Sequence, residues 1–289
     1  MPIFKQKWFC EDTVPGKRFG KIKHCFLIDR LVFKGKSPYQ EILIFDNPVY
    51  GRIFVLDGIV QLSETDEHIY HEMIAHPILF SHPNPQKVLI VGGGDGGSLR
   101  EVLKHPLKEV YLVDIDKKVI EISEKYLPFV SKGAFNDKRL KLFIGDGAKF
   151  IKKFKDYFDI VIIDSNDPVG PSLALYSANF YKEVFKVLKK EGMMVAQIGS
   201  FLDFDNLIKK IFLKLKNIFS SVQIYRLTMP SYHCGEYCFI GASKKINLNK
   251  TDFKQIKKRF DTLDLLIQAR YYSPEIHFAS ITIPKPWRI

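Results

Sequence analysis

Long apolar segments are scarce in this chain of 289 residues, although 46% of its side chains are hydrophobic. No apolar run approaches the roughly 20 residues that a helix needs to cross a bilayer. The opening residues, MPIFKQKWFC, contain neither a continuous apolar stretch nor the small-residue cleavage site of a secretory signal peptide. We therefore expect a cytoplasmic protein with no membrane partner.

Cysteine is also sparse, and the chain has four: Cys10, Cys25, Cys234 and Cys238. The first two stand alone in the sequence, and the last two are close together with no second pair nearby. That spacing is a poor signature of a zinc or redox site. We therefore expect buried free thiols and no metal site.

Acidic residues are fewer than basic ones, 32 against 44, which gives a formal net charge of +12. Such an excess can indicate nucleic-acid binding. Here, however, the lysines are spread over amphipathic segments such as residues 206–217, NLIKKIFLKLKN, where they fall on the polar side. No basic run alternates with stacking aromatic side chains as it does on an RNA-binding surface. We expect a lysine-rich solvated surface and no nucleic-acid partner.

The strand and helix patterns change near residue 65. Residues 21–63 contain β-branched, aromatic-rich runs separated by the turn sequences GKSP, DNP and DG, which is typical of antiparallel strands. From Lys87 onwards, uniformly apolar strands alternate with amphipathic helices, which predicts a parallel sheet covered on both faces. Two later runs, SVQIYRLTM and EYCFIGASK, predict a hairpin at the sheet edge. We predict an α/β protein with a small antiparallel β domain over residues 1–64 and a mainly parallel core over residues 65–289.

The sharpest local feature is the glycine-rich turn VGGGDGGS at residues 91–98, between a predicted strand and a predicted helix. Glycines let such a turn adopt positive φ values and let its backbone approach a ligand closely. Asp114 closes the next strand, where a carboxylate can accept both ribose hydroxyls, and Asp146 follows the third, where it can receive the adenine amino group. A helix N-cap would explain either aspartate alone. Together with the turn, the two predict an adenosine site at the carboxyl edge of the sheet.

Asp95 lies inside that turn, near where the amino-acid tail of a bound S-adenosylmethionine would project. A carboxylate there would repel the tail's own carboxylate and attract a bare ammonium. Decarboxylated S-adenosylmethionine carries that bare ammonium. A purely turn-forming aspartate explains the residue equally well.

Three longer motifs resemble signatures of the spermidine synthase family. They are LDGIVQLSETDEHIYHEMIAHP at residues 56–77, the glycine loop VGGGDGG, and DSNDPVGP at residues 164–171, which looks like the family's catalytic loop. The similarity extends through RYYSPEIHFASITIP near the C-terminus. The resemblance implies a Rossmann-like, methyltransferase-type core with a small N-terminal β domain, assembled as homodimers or homotetramers. It also implies transfer of an aminopropyl group from decarboxylated S-adenosylmethionine to an amine acceptor.

The resemblance implies roles for the residues that match the family's motifs. Asp164 matches the base that deprotonates the attacking amine. The donor-side positions are Gln40, Gln61, His71, Gly93, Asp95, Asp114, Asp146 and Gly147. The acceptor-side positions are Tyr70, Asp167 and Tyr232. Independently of the resemblance, the far ammonium of a diamine needs an acidic partner of its own, which we expect to be Asp167 or Glu236. Pro168, Gly170 and Pro171 would let the catalytic loop close over bound substrate.

The chain departs from the family pattern at several places. In the catalytic loop, Asn166 and Ser172 stand where Ser or Thr and Ala are usual, with little expected effect. Asp114 stands where glutamate is common, and residues 231–237 read SYHCGEY where the family usually reads TYPSG followed by one residue and Trp. Because that segment lines the acceptor pocket in the family, the acceptor stays open. Putrescine leads, and cadaverine, agmatine or a longer triamine are the alternatives.

Two other functions compete with this interpretation. A methyltransferase using intact S-adenosylmethionine would have nearly the same fold, but Asp95 and the paired Asp164 and Asp167 argue against it. A non-catalytic nucleoside-binding or RNA-binding module is favoured by the net charge alone. The sulfonium of the donor is already an activated electrophile, so the favoured chemistry requires neither a cofactor nor a metal ion.

Overall fold

The computed structural model describes residues 7–11, 23–166 and 170–289. Its N-terminal part is antiparallel, as predicted. Strand β1 (Lys7–Cys10) pairs with β2 (Cys25–Ile28), and a separate sheet runs in chain order through four strands. These are β3 (Arg30–Lys36), β4 (Glu41–Asn47), β5 (Gly51–Leu56) and β6 (Ile59–Ser63). Between β2 and β3 the chain bends at Asp29 and passes from one sheet to the other.

The expectation of free thiols is wrong for two of the four cysteines. Cys10 and Cys25 lie opposite each other in the β1–β2 pair and form a disulfide. Their separation along the chain hides this proximity, which comes from strand register. Cys234 and Cys238 are free thiols, and Cys238 is buried, whereas Cys234 is partly exposed.

The second part of the described chain is built on a seven-stranded sheet in the order β12-β13-β11-β10-β7-β8-β9. Its strands are β7 (Lys87–Gly92), β8 (Glu109–Asp114), β9 (Leu140–Ile144), β10 (Phe158–Asp164), β11 (Leu188–Gly199), β12 (Ser221–Thr228) and β13 (Glu236–Ser243). Strands β7 to β11 are parallel to their neighbours in this group, and β13 is antiparallel to both β11 and β12. The predicted mainly parallel sheet and its edge hairpin are both confirmed.

Helices cover both faces of this sheet. The helices of the described residues are α1 (Glu67–Ser81), α2 (Gly97–Leu103), α3 (Lys117–Tyr126), α4 (Pro128–Ser131), α5 (Gly147–Phe150), α6 (Ala178–Val187), α7 (Phe201–Lys216), α8 (Phe253–Ile267) and α9 (Pro274–Ser280). Of these, α3 and α4 pack against β4 and β5 of the N-terminal sheet. Alternate residues of each central strand face opposite cores, so Ile90 and Ile162 pack with α1 and α2, whereas Val91 and Ile163 pack with α6 and α7. Burial on both faces explains why these strands read as continuous apolar runs.

Helix α1 connects the two parts of the chain. It begins at Glu67, four residues after β6 ends the N-terminal sheet at Ser63, and its apolar side chains enter the core beside the parallel sheet. The buried Glu72 on this helix accepts hydrogen bonds from the backbone N–H groups of Arg270, Tyr271 and Tyr272, at 2.7 to 2.8 Å. Among the described residues, no helix combines the length and the apolar character needed to cross a bilayer.

Candidate functional site

Four neighbouring parallel strands, β10, β7, β8 and β9, end at one edge of the sheet. The chain order reverses between β7 and β10, and in open α/β sheets ligands bind in the crevice at such a reversal. A cavity of about 550 Å³ opens there, within the range of small-molecule sites. The predicted residues that line it are Gln40, Gln61, Tyr70, His71, Gly93, Asp95, Asp114, Asp146, Gly147, Asp164, Tyr232 and Glu236.

The predicted catalytic loop is described in part. Asp167 and Pro168 lie outside the described residues, so their roles stay predictions. Gly170 and Pro171 begin a short 3₁₀ helix, Gly170–Tyr176, that leads towards α6.

The glycine turn after β7 packs directly against the end of β10. Gly92 has a φ of +86°, and a Cβ on it would lie 2.0 Å from the carbonyl oxygen of Asp164. The N–H of Gly93 donates to that same carbonyl at 2.9 Å. A side chain at Gly92 would therefore separate the turn from the strand end, which explains why this position requires glycine.

The carboxylate of Asp164 is held by two hydroxyl groups. Tyr70, on α1, donates to its Oδ1 at 2.7 Å, and Ser98, on α2, donates to its Oδ2 at 2.5 Å. Burial raises the pKa of Asp164 above its usual value, the negative charge of Asp95 raises it further, and the two hydroxyl donors oppose the shift. The residue therefore has a stronger affinity for a proton than an ordinary aspartate.

The surroundings of Asp95 differ from those of Asp164, because Asp95 lies near the cationic side chains of His71 and Arg100. Its Oδ1 accepts the Gly97 N–H at 2.7 Å and lies 3.4 Å from Nε2 of His71. Nδ1 of His71 contacts Glu67 Oε2 at 2.6 Å, and Arg100 holds both oxygens of Glu67 at 3.0 Å in a bidentate pair. A continuous chain of buried charges therefore runs from the glycine turn into the core between α1 and α2.

The interactions among these buried side chains determine the ionisation of Asp95 and His71. Burial alone would raise the pKa of Asp95, but the positive His71, the Gly97 N–H and Arg100 together lower it. Burial alone would lower the pKa of His71, but Asp95 and Glu67 raise it to about 10. At neutral pH Asp95 is an anion and His71 is a cation.

Gly97 makes room for this arrangement. A Cβ at this position would lie 2.3 Å from the His71 ring, so only a glycine lets α2 start against the imidazole. The last glycine of VGGGDGG therefore serves the packing of His71 as well as the turn itself.

The two strand-end aspartates differ in their surroundings. Burial raises the pKa of Asp114 to about 6, with further contributions from the charges of Asp116 and Asp95. Asp146 caps α5, since its Oδ1 accepts the N–H groups of Ala148 and Lys149 at 2.8 and 3.2 Å. Both face the cavity, so the capping role of Asp146 does not conflict with its predicted adenine contact.

Aromatic side chains form the wall on the other side of the cavity. The ring of Tyr237 packs against the rings of both Tyr70 and Tyr232. Its centroid lies 5.8 Å from that of Tyr70 and 5.1 Å from that of Tyr232. Tyr232 also donates to the backbone carbonyl of Gln61 at 2.7 Å, which connects this aromatic wall to the N-terminal sheet. Next to them, Glu236 is 9% exposed.

Several residues of this site escaped the sequence-based prediction. Glu67 could have been found, because it lies four residues before His71, and that spacing puts two side chains on the same face of a helix. Ser98 and Arg100 reach the site through tertiary packing of α2 and carry no local signal of their own. The same is true of Gln197, whose amide donates to the Ser165 carbonyl at 2.7 Å and so supports the loop after β10.

Comparison with known families gives two matches that follow each other along the chain. The family described as "Spermidine synthase tetramerisation domain" matches residues 7–64. The family described as "Spermine/spermidine synthase domain" matches residues 67–255.

Curated relatives match over nearly the whole chain. The polyamine aminopropyltransferase of Thermoanaerobacter sp. (strain X514) is 42% identical over 280 residues, which cover 96% of each protein. Polyamine aminopropyltransferase 1 of Aquifex aeolicus (strain VF5) is also 42% identical, over 90% of this chain and 89% of the relative.

Two solved structures share the fold. A spermidine synthase in complex with the transition state analogue AdoDATO superposes with a TM-score of 0.88 and 36% identity, covering 96% of this chain and 92% of that one. The spermidine synthase of Thermotoga maritima has a TM-score of 0.86 and 35% identity, with coverages of 96% and 91%.

The raised pKa of His71 predicts how stability depends on pH. Because the folded-state pKa of about 10 exceeds the ordinary value near 6.5, the charged imidazole stabilises the fold fully below pH ~6.5. That contribution falls as pH rises from about 6.5 to about 10. The difference in free energy of unfolding between the wild type and His71→Gln should therefore shrink across this window by up to about 4 kcal/mol.

Urea unfolding followed by circular dichroism at several pH values measures this difference. His68→Gln is the matched control on the same helix, because burial lowers the pKa of His68 and leaves it neutral throughout the window. A stability difference for His71→Gln that stays constant from pH 6.5 to 10 would contradict the charged state of His71.

Proposed function

The chain belongs to the spermine/spermidine synthase family, and we propose that it transfers the aminopropyl group of decarboxylated S-adenosylmethionine to a small amine, releasing 5′-methylthioadenosine. The observation that carries the proposal is the contrast between two carboxylates in one cavity. The pKa of Asp95 is lowered by neighbouring cations, while burial raises the pKa of Asp164. One is suited to hold a cationic group and the other to take a proton.

The donor side of the proposal rests on the sheet edge. Asp114 would accept the ribose hydroxyls, and Asp146 with Gly147 would contact the adenine. Both described contacts of Asp95 fall on Oδ1, so Oδ2 would accept the donor's ammonium. His71 keeps Asp95 ionised, and Gln40 and Gln61 line the same cavity on the side of the N-terminal sheet.

The reaction would be a displacement at the carbon next to the sulfonium. The amine nitrogen forms the new C–N bond, the C–S bond breaks, and its electron pair stays on sulfur to give a neutral thioether. A free alkylamine is protonated at neutral pH, since its pKa is near the value of about 10.4 for lysine, so a base must remove a proton before or during attack. Asp164 would be that base, and Tyr70 and Ser98 would fix its orientation.

The acceptor would lie along the wall of tyrosines. Tyr70 and Tyr232 would flank its alkyl chain, and Glu236 would hold its far ammonium together with Asp167. Oε1 of Glu236 accepts from Ser200 Oγ and from the Phe201 N–H at 3.0 and 3.1 Å. Its Oε2 is buried without a partner among the described residues, which suits contact with a cationic ligand. Putrescine is the leading acceptor, and cadaverine, agmatine or a triamine are the alternatives.

We also propose that the protein forms homodimers or homotetramers in the cytoplasm. The match of residues 7–64 to a tetramerisation domain supports the assembly. Large apolar side chains exposed on this part of the chain agree with a buried surface in an oligomer, since Trp8, Leu31 and Val49 are each more than half exposed.

The reaction is tested by incubating the purified protein with decarboxylated S-adenosylmethionine and a panel of diamines, agmatine and spermidine, and measuring methylthioadenosine release. We expect release with a preferred amine and a loss of about 10²–10⁴-fold in kcat for Asp164→Asn. Asp156→Asn, at an exposed turn after α5, is the control and should keep wild-type rates. No release with any amine, together with tight binding of intact S-adenosylmethionine, would instead favour a methyltransferase.

The hydrogen bond from Tyr70 predicts a shift in the pH profile. Because this bond lowers the pKa of Asp164, its loss in Tyr70→Phe should raise that pKa. The acid limb of kcat/KM should then move to higher pH by about 0.5 to 1 unit. Tyr126→Phe, which packs against Phe33 and lies outside the cavity lining, serves as the control. A limb that stays in place or moves to lower pH would show that Tyr70 does not act on the base.

A further inference from the structure

The acceptor end of the cavity contains a cluster of three side chains that the proposed reaction does not use. Asp203 comes from the first turn of α7, and His233 and Cys234 come from the turn between β12 and β13. Nε2 of His233 lies 2.7 Å from Asp203 Oδ2 and 3.0 Å from Cys234 Sγ, and that sulfur lies 3.2 Å from the same Asp203 oxygen. An oxygen, a nitrogen and a sulfur therefore converge on one point.

The geometry is unlike that of a nucleophilic triad. In a triad the imidazole uses one nitrogen for the nucleophile and the other for the carboxylate. Here the same nitrogen of His233 faces both Cys234 and Asp203, so the ring cannot pass a proton from the thiol towards the acid. Three donor atoms around a common centre are instead the arrangement of a metal site.

The backbone around the cluster is fixed on both sides. Ser200 caps the start of α7, and Glu236 accepts from both Ser200 Oγ and the Phe201 N–H, which anchors this end of the helix to β13. On the other side, Gly235 has a φ of +65° and donates its N–H to the Tyr232 carbonyl at 2.8 Å, which closes the turn. The side chain of Asp203 is 2% exposed, and that of His233 is 25% exposed, so the cluster is open to solvent on one side.

The donor set indicates which metal would bind. Thiolate, imidazole and carboxylate are the ligands of Zn²⁺, at about 2.3, 2.0–2.1 and 2.0–2.2 Å respectively. A tetrahedral ion at those distances separates its ligand atoms by roughly 3.2 to 3.6 Å. The separations of 2.7 to 3.2 Å would need to widen by up to roughly 0.7 Å, which is largest for the His233–Asp203 pair, through rotation of side chains. The fourth position would hold water or Glu236, whose Oε2 is buried without a partner among the described residues and which lines the same cavity.

We propose that Asp203, His233 and Cys234 form a binding site for a zinc-type divalent cation, and that the bound cation competes with the amine acceptor. The competition between the cation and the amine rests on the proposed function. A dication at the acceptor end repels an ammonium group, and it also occupies the space beside Glu236 that would hold the far end of the acceptor. The donor, at the opposite end of the cavity beside Asp95 and Asp114, would bind as before.

The sequence predicts no metal site here, because the spacing between Cys234 and Cys238 is a poor signature of one. Cys238 lies on β13 with its side chain buried in the core. The other two proposed ligands are His233, the residue directly before Cys234, and Asp203, which lies 31 residues before Cys234 in the chain. Only the pairing of β12 with β13 beside α7 brings the three together.

Metal binding is tested directly with Co²⁺ as a spectroscopic probe for Zn²⁺, on the whole protein freshly reduced and kept free of oxygen. We expect a single Co²⁺ per chain with a thiolate-to-cobalt charge-transfer band, which Zn²⁺ displaces. Cys234→Ser should abolish the band, and Asp203→Asn should weaken binding by at least about tenfold. Cys238→Ser and Asp205→Asn are the matched controls and should bind as the wild type does. Absence of the band in the wild type, or its persistence in Cys234→Ser, would overturn the site.

A kinetic experiment tests the competition. In the wild type, Zn²⁺ should raise the KM of the amine and leave the KM of decarboxylated S-adenosylmethionine unchanged. Cys234→Ser should require at least about ten times more Zn²⁺ for the same effect. Inhibition that is competitive with the donor, or equal in both proteins, would contradict competition at this site. If the wild type transfers no aminopropyl group at all, the proposed function fails, while the cobalt spectrum still decides whether the cation site exists.

Discussion

The hydrogen bond from the Gly93 N–H to the Asp164 carbonyl is the contact on which the rest of the site depends. It holds the glycine turn against the end of β10 at the point where the order of the strands reverses. Because Gly92 has no side chain, the turn can approach the strand this closely. As a result, Asp95 and Asp164 face one cavity, and the negative charge of Asp95 raises the pKa of Asp164.

The surroundings of these two carboxylates then separate their chemistry. Asp95 is stabilised as an anion by His71, and His71 is held as a cation through Glu67, which Arg100 fixes with two hydrogen bonds. Asp164 forms no salt bridge with a described residue and is held by the neutral hydroxyl groups of Tyr70 and Ser98, although the charge of His71 also lowers its pKa. In a buried site, this difference suits one group to the proposed binding of positive charge and the other to the proposed acceptance of a proton. The buried charges between α1 and α2 are therefore part of the proposed donor site, even though Glu67 and Arg100 do not line the cavity.

The sequence predicted much of this arrangement, because its strongest signals are local. Apolar strands alternating with amphipathic helices predicted the parallel sheet, and the glycine turn with Asp114 and Asp146 predicted the cavity at its edge. The residues it missed depend on tertiary packing. Cys10 and Cys25 meet through the register of β1 and β2, Arg100 reaches Glu67 through the packing of α2 on α1, and Asp203 reaches His233 across α7 and the β12–β13 turn. Contacts between residues that are far apart in the sequence leave no local pattern from which they could be predicted.

The central claim is that Asp95 selects a donor whose tail has lost its carboxylate, and calorimetric titration tests it most directly. Decarboxylated and intact S-adenosylmethionine are titrated separately into the wild type and into Asp95→Asn. We predict that the wild type binds the decarboxylated compound more tightly by at least about tenfold, because a second carboxylate beside Asp95 is repelled. In Asp95→Asn this preference should largely disappear. Equal affinities in the wild type, or a preference that survives the substitution, would contradict the claim.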